Sequence, residues 1–188
     1  MRLLSTPDLP ANWDAMVAHE MSHYGNDGYL AAKERVLGDW WTNKCHWWAA
    51  VMDMNESQIL SSASATLLAR EDIRTIMSRD DCGPKSFGSY YQHVSRHTNE
   101  LPVLYISSII ISNRMHAPYL FKALSRDLKA AQKEWEMTFD HCLSIALNKK
   151  SKFLLEHHGF KSIGLCRGKY PVYQAHRKES PIINALLG

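Results

Sequence analysis

The chain has 188 residues, 45% of them hydrophobic, and a formal net charge of +3 from 22 Lys and Arg against 19 Asp and Glu. This length and composition suffice for one domain, residues 1–188, with a full hydrophobic core. Because the basic residues are interspersed with acidic ones along the sequence, a nucleic-acid-binding stripe is not expected.

Four cysteines, Cys45, Cys82, Cys142 and Cys166, are far apart and form no CxxC pair. This argues against a zinc knuckle and for reduced thiols. The N-terminal apolar run is too short for a signal peptide, and no segment approaches the roughly 20 apolar residues of a membrane span. We therefore expect a cytoplasmic protein without a membrane span, and we leave its oligomeric state open, a homodimer included.

The first third of the chain predicts a strand, two helices and a hairpin. A short strand is expected at 2–5, and an amphipathic helix at 11–24 ends at a Gly and an Asn-Asp-Gly turn. A second helix is expected at 29–43. Two strand-like runs, 46–54 and 58–68, flank a turn and indicate an antiparallel hairpin.

Residues 71–102 lose this periodicity and are predicted to form a loop-rich insertion. The run VLYISSIIIS at 103–112 follows and is nearly uniformly apolar, which is typical of a central strand covered on both faces. A long helix is expected at 119–136, and a strand at 137–147. A short helix and a closing hairpin around Gly168 complete the order β-α-α-β-β-(insertion)-β-α-β-α-β-β.

The short helix carries the one signature of the chain, NKKSKFLLEHHGF at 148–160, between two predicted strands. This stretch resembles the pattern N-x-x-A-x-x-L-Y-E-K-x-G-F of the GNAT acyltransferase superfamily. The matching positions are Asn148, Leu154, Glu156, Gly159 and Phe160. Ser151 replaces the usual Ala, and Leu155 replaces the frequent Tyr.

The resemblance implies an α+β, three-layer fold. Its central sheet is mixed and mostly antiparallel, with two splayed central strands and flanking helices. It also implies an N-acyltransferase that passes an acyl group, expected to be acetyl, from coenzyme A directly to a small-molecule or peptide amine. No covalent enzyme intermediate and no metal cofactor are expected.

The resemblance also implies where the donor binds. Backbone groups of the central strand would polarise the acyl carbonyl, and the start of the next helix would hold the pyrophosphate. The glycines of the usual pyrophosphate loop are absent, and Pro118 lacks an N–H. The implied donor-binding residues are Ile109, Ile111, Arg114, His116, Ala117, Tyr119, Leu120, Phe121 and Asn148.

The proton-transfer groups of the family are missing. Ser107 stands where Glu is common, and Leu155 where Tyr is common; a serine holds a water molecule but is no base at neutral pH. We take Ser107, Glu20 and Tyr173 as the catalytic candidates. The other groups considered are His19, His141, Ser144 and Tyr170.

Three alternatives remain open. The lost glycines favour an N-acyl synthase of the same fold whose donor is an acyl carrier protein. The missing Glu and Tyr favour a non-catalytic binding module of this fold. Finally, His19, Glu20 and His23 form an HExxH sequence, whose spacing on a helix suits a zinc hydrolase.

Overall fold

The computed structural model describes residues 1–24, 45–55, 58–68, 103–166 and 168–187. The predicted helix at 29–43 and the predicted insertion at 71–102 lie outside these residues. The description that follows concerns the sheet, its flanking helices and the cleft between its central strands.

Seven strands form one sheet in the order β1-β2-β3-β4-β5-β7-β6. Every neighbouring pair is antiparallel except β4 and β5, which run parallel. This mixed, mostly antiparallel sheet confirms the expected fold class. The strands are β1 (Arg2–Leu4), β2 (His46–Met52), β3 (Ile59–Leu68), β4 (Val103–Ile111), β5 (His141–Ile145), β6 (Lys161–Cys166) and β7 (Tyr170–His176).

The described helices are α1 (Trp13–Tyr24), α2 (Ala117–Glu134), α3 (Lys149–His157) and α4 (Pro181–Leu187). The first three correspond to predicted helices. Helix α2 begins two residues earlier than predicted because Pro118 fits its first turn, where a missing N–H costs little. Helix α4 was missed in the sequence, although its Ile and Leu residues recur at helical spacing.

Strand β5 is shorter than the predicted 137–147. The N–H of Phe139 donates a hydrogen bond to the side-chain oxygen of Gln132, at 3.0 Å, and not to a neighbouring strand. Phe139 is fully buried; its ring is tilted against that of Trp47, with centroids 5.8 Å apart, and edge-on to that of Trp135, at 6.3 Å. Core packing therefore fixes the segment before β5 in an irregular conformation.

The core lies on both faces of the central strands, and every residue of β2 is buried. Cys45 and Cys142 are buried thiols outside any disulfide, but Cys166 forms a disulfide, which corrects the expectation of a reduced thiol there. None of the described helices is both long enough and apolar enough to cross a membrane.

Candidate active site

A cleft opens between the parallel strands β4 and β5. Their pairing runs from Val103 opposite His141 to Ile106 opposite Ser144 and stops there, although β4 continues to Ile111. The Ser144 hydroxyl donates to the Ile106 carbonyl oxygen, 3.1 Å away, at the last paired position. Beyond it, β4 keeps only β3 as a partner among the described strands.

The N–H groups of Ile109 and Ile111 face this cleft. Past the end of β4, the N–H of Ser112 donates to the Ser61 hydroxyl on β3, at 3.0 Å. Backbone groups of successive strand residues point to opposite edges, so Ile110 also faces β3, and Ile109 and Ile111 face away from it. None of the described strands pairs these two N–H groups, which are backbone donors of the kind that stabilise a developing oxyanion.

A β-bulge in β4 lies at the mouth of the cleft. Ser64 of β3 pairs with Ser108 and Ala65 pairs with Ile106, so Ser107 is the extra residue. The hydroxyl oxygens of Ser107 and Ser64 lie 2.8 Å apart. Ser107, a catalytic candidate, is therefore exposed at the cleft but already has a hydrogen-bond partner.

The cleft holds a cavity of about 690 Å³. Its wall is formed by consecutive residues of β4, the end of β5 and the first two turns of α3. Leu155 takes the position of the missing Tyr and contributes an apolar surface there. The lining consists of His23, residues 106–111, Ser144, Ile145, residues 147–151 and residues 153–155.

Glu20 on α1 is not one of the residues that line this cavity, but it contacts Ser108, which is. The Glu20 carboxylate hydrogen-bonds the side chain of Ser108, the residue next to Ile109. Burial raises the pKa of Glu20 to about 7, and the bond to Ser108 opposes that rise. A carboxylate with a pKa near neutral has the proton affinity that a general base needs.

The neighbouring histidines of α1 lie close together. The rings of His19 and His23 are 4.7 Å apart, and burial, together with His23, lowers the pKa of His19 to about 4. His19 is therefore neutral at pH 7. Nowhere in the described ranges do three or more His, Cys, Asp or Glu side chains gather to hold a metal ion.

The start of α2 offers few donors for a pyrophosphate, because its first N–H groups are bonded internally. The N–H of Met115 donates to the Asn113 side chain at 3.0 Å, and that of His116 to the Asn113 carbonyl at 2.9 Å. The N–H of Ala117 donates to the Arg114 carbonyl, and Pro118 has none. Of the four N–H positions without an intrahelical partner at this helix end, only Tyr119 therefore keeps an N–H that is not bonded in this way.

The side chains predicted to contact the donor here differ in accessibility. His116 is buried and its Nδ1 lies 2.8 Å from the Ser61 hydroxyl, so it braces β3 against the turn. Leu120 is fully buried and Phe121 half-buried, whereas Arg114 and Tyr119 are exposed. Of this group, Arg114 alone brings a positive charge to the surface.

Asn148 caps the signature helix α3 at the edge of the cavity. Its side chain accepts the N–H of Ser151 at 2.9 Å, and the Ser151 hydroxyl accepts the N–H of Asn148 at 3.1 Å. This reciprocal pair is a capping box. The Ser in place of the family's Ala therefore has a structural explanation, and Asn148 positions α3 beside the donor cleft.

The remaining candidates lie away from the cavity or are already bonded. The Tyr173 hydroxyl donates to Glu156 at 2.8 Å, and burial, followed by Glu156, raises the pKa of that phenol. Tyr173 does not line the cavity. His141 bonds Gln174 at the far end of β5, and Tyr170 packs beneath Lys169.

Gly159, at the end of the signature, is expected to tolerate no side chain. Its φ is +82°, and an added Cβ would lie 2.9 Å from the Glu179 carbonyl oxygen. We expect Gly159→Ala to destabilise the protein by about 2–4 kcal/mol, from strain and the clash together. Gly168→Ala is the matched control, because φ is +61° but no atom lies within 4 Å; urea titration should show a loss of only about 1 kcal/mol. Equal losses at both glycines would contradict the clash.

Comparison with solved structures finds proteins of the same architecture. Over 96% of the chain, it superposes on FeeM, an N-acyl amino acid synthase from uncultured soil microbes, with a TM-score of 0.58, 11% identity and 99% of that chain covered. Arabidopsis thaliana NAA60 with a bisubstrate analogue gives a TM-score of 0.50 at 11% identity, covering 93% of this chain and 98% of that one. The NatC complex bound to Gag peptide and CoA gives 0.50 at 11% identity, covering 93% and 96%.

These structural similarities establish that the chain has the GNAT fold, as the signature indicated. No model of a protein family matches the sequence, and no curated protein sequence matches it. At 11% identity the similarity defines the fold alone, so activity has to be argued from the cleft.

Proposed function

We propose that the protein is an N-acyltransferase that passes an acyl group from a pantetheine thioester to an amine by direct attack. The observation that carries this proposal is the position of Glu20, bonded to Ser108 beside the unpaired N–H of Ile109. A candidate base thus contacts the residue adjacent to a candidate oxyanion donor. Coenzyme A is the first candidate donor, with acetyl or a longer acyl group, and a small-molecule or peptide amine is the acceptor.

In this reaction the thioester lies in the cleft between β4 and β5, with its carbonyl oxygen accepting from the backbone of Ile109 and Ile111. The amine nitrogen attacks the carbonyl carbon from the α1 side and gives its proton to Glu20. The C–N bond forms, the C–S bond breaks, and the thiolate takes a proton from solvent. The backbone donors favour the tetrahedral oxyanion over the planar thioester.

The second candidate donor is an acyl carrier protein. The reduced pyrophosphate site at the start of α2 favours it. The carrier's pantetheine arm ends in a single phosphodiester and therefore needs no pyrophosphate site. The N–H groups of residues 115–117 are bonded internally and Pro118 has none, so the site that coenzyme A would use is reduced. Exposed Lys149 and Lys150 at the cleft remain to contact a phosphate.

Truncating the donor tests how much the nucleotide half of coenzyme A contributes to kcat/KM. We expect acyl-pantetheine and acyl-coenzyme A to give kcat/KM values within about tenfold of each other, because few backbone donors are free to bind the pyrophosphate. Amide formation, followed by mass spectrometry with a panel of amines, provides the measurement. A loss of more than about a hundredfold on truncation would instead identify coenzyme A as the donor and a strong pyrophosphate site.

A further inference from the structure

A row of basic residues runs along the exposed side of α2, although the sequence suggested that Lys and Arg were scattered. Lys122, Arg126, Lys129 and Lys133 are exposed and follow one another at intervals of four, three and four residues. Residues at this spacing share one face of a helix. At 1.5 Å per residue the row is about 16 Å long.

Most of this charge is not neutralised. Arg126 bonds the carboxylate of Asp127 at 2.9 Å, and Asp127 also accepts from the hydroxyl of Thr6. Across the part of the chain that the structure describes, no carboxylate lies within ion-pair distance of Lys122, Lys129 or Lys133. The row therefore presents a net positive charge to solvent.

The row borders a groove between α2 and α4. A cavity of about 570 Å³ lies there, with Lys122, Arg126 and Lys129 on its rim. Its floor is apolar and comes from Phe121 on α2 and from Ile182, Ala185 and Leu186 on α4. A second cavity, of about 480 Å³, continues past Lys129 to Lys133 and Arg177.

We propose that this groove is the docking site for an acidic amphipathic helix of a partner protein. Such a helix places an apolar stripe on the floor of the groove and carboxylates opposite the basic rim. A nucleic acid would satisfy the basic row but leave the floor uncovered. The bases of a single strand also need exposed aromatic faces for stacking, whereas Phe121, the aromatic residue among the described lining, is half-buried.

The groove is separate from the cleft and does not depend on the proposed chemistry. The groove lies along the body of α2, whereas none of the described residues that line the cleft cavity belongs to α2. Binding there can be measured without substrate, so acyl transfer and docking can fail independently.

A synthetic 18-residue peptide tests the docking site. It carries Leu at helical spacing and Glu on its flanks, and the control peptide has the same composition in scrambled order. Titration by fluorescence anisotropy should show binding of the amphipathic peptide and at least tenfold weaker binding of the scrambled one. The double variant Lys129→Glu, Lys133→Glu should weaken binding at least tenfold, whereas Lys161→Glu on β6 should not.

Ala185→Arg separates docking from simple charge attraction. Ala185 is exposed, so the protein should fold, and circular dichroism and the melting temperature check this. The new side chain fills the groove while adding positive charge. Docking predicts that peptide binding is lost, whereas charge attraction alone predicts that it strengthens. The proposal is overturned by that strengthening, by equal binding of the scrambled peptide, by absence of peptide binding, or by binding of single-stranded RNA in preference to the peptide.

Discussion

Replacing Glu20 by Gln is expected to lower kcat by about 10²- to 10⁴-fold, the usual contribution of a general base. Gln keeps the size and the hydrogen bond to Ser108 but accepts no proton from the amine. Because the pKa of Glu20 is raised to about 7, wild-type activity should rise with pH through that value as the carboxylate forms. The variant should lose this limb of the pH profile, measured as kcat from pH 5 to 9.

Glu136→Gln, at an exposed position just after the end of α2, is the matched control and should leave both kcat and the profile unchanged. The KM for the thioester provides a second check. If the carboxylate acts on the amine alone, this KM should change little in Glu20→Gln. Activity within threefold of wild type in Glu20→Gln would remove the carboxylate from the mechanism.

The same substitution should change stability in a pH-dependent way. A carboxyl group with a pKa of about 7 in the folded protein and 4.5 in the unfolded chain binds its proton more tightly when folded. The free energy of unfolding therefore falls as the pH rises from about 4.5 to above 7, by up to about 3 kcal/mol. Gln does not titrate, so Glu20→Gln should be the more stable protein at pH 8 and about equal to wild type at pH 5.

Urea titrations at the two pH values measure this difference. Glu136→Gln, whose side chain is exposed, is measured alongside as the reference variant. If Glu20→Gln is less stable than wild type at pH 8, the carboxylate is stabilised by a partner and its pKa is not raised by burial.

The signature helix was the part of the fold most accessible from sequence. Asn148 and Gly159 mark the ends of α3 through local requirements, an N-cap and a positive φ, which depend on neighbours in the chain. The apolar run of β4 likewise predicted a central strand, but not the exposure of Ser107 and Ile111 in its second half. Helix α4 was missed because seven residues give little periodicity, and its burial depends on contacts with α2.

The site was only partly predictable. Glu20 stood among several equal candidates, because its raised pKa arises from burial against a strand that lies far away in sequence. The bulge at Ser107 is likewise set by pairing between β3 and β4. His116 was expected to offer charge, but only the fold shows that it is buried against Ser61. The basic row on α2 was overlooked because its residues are separated by three or four positions.

A thermal-shift series with acyl-pantetheine and acyl-coenzyme A thioesters of increasing chain length tests the central claim, that a pantetheine thioester binds between β4 and β5. A ligand that binds only the folded state raises its melting temperature by mass action. We expect a rise of several degrees for at least one chain length, equal in wild type and Glu20→Gln, because Glu20 serves the amine and not the donor. No shift with any thioester at millimolar concentration would contradict the claim.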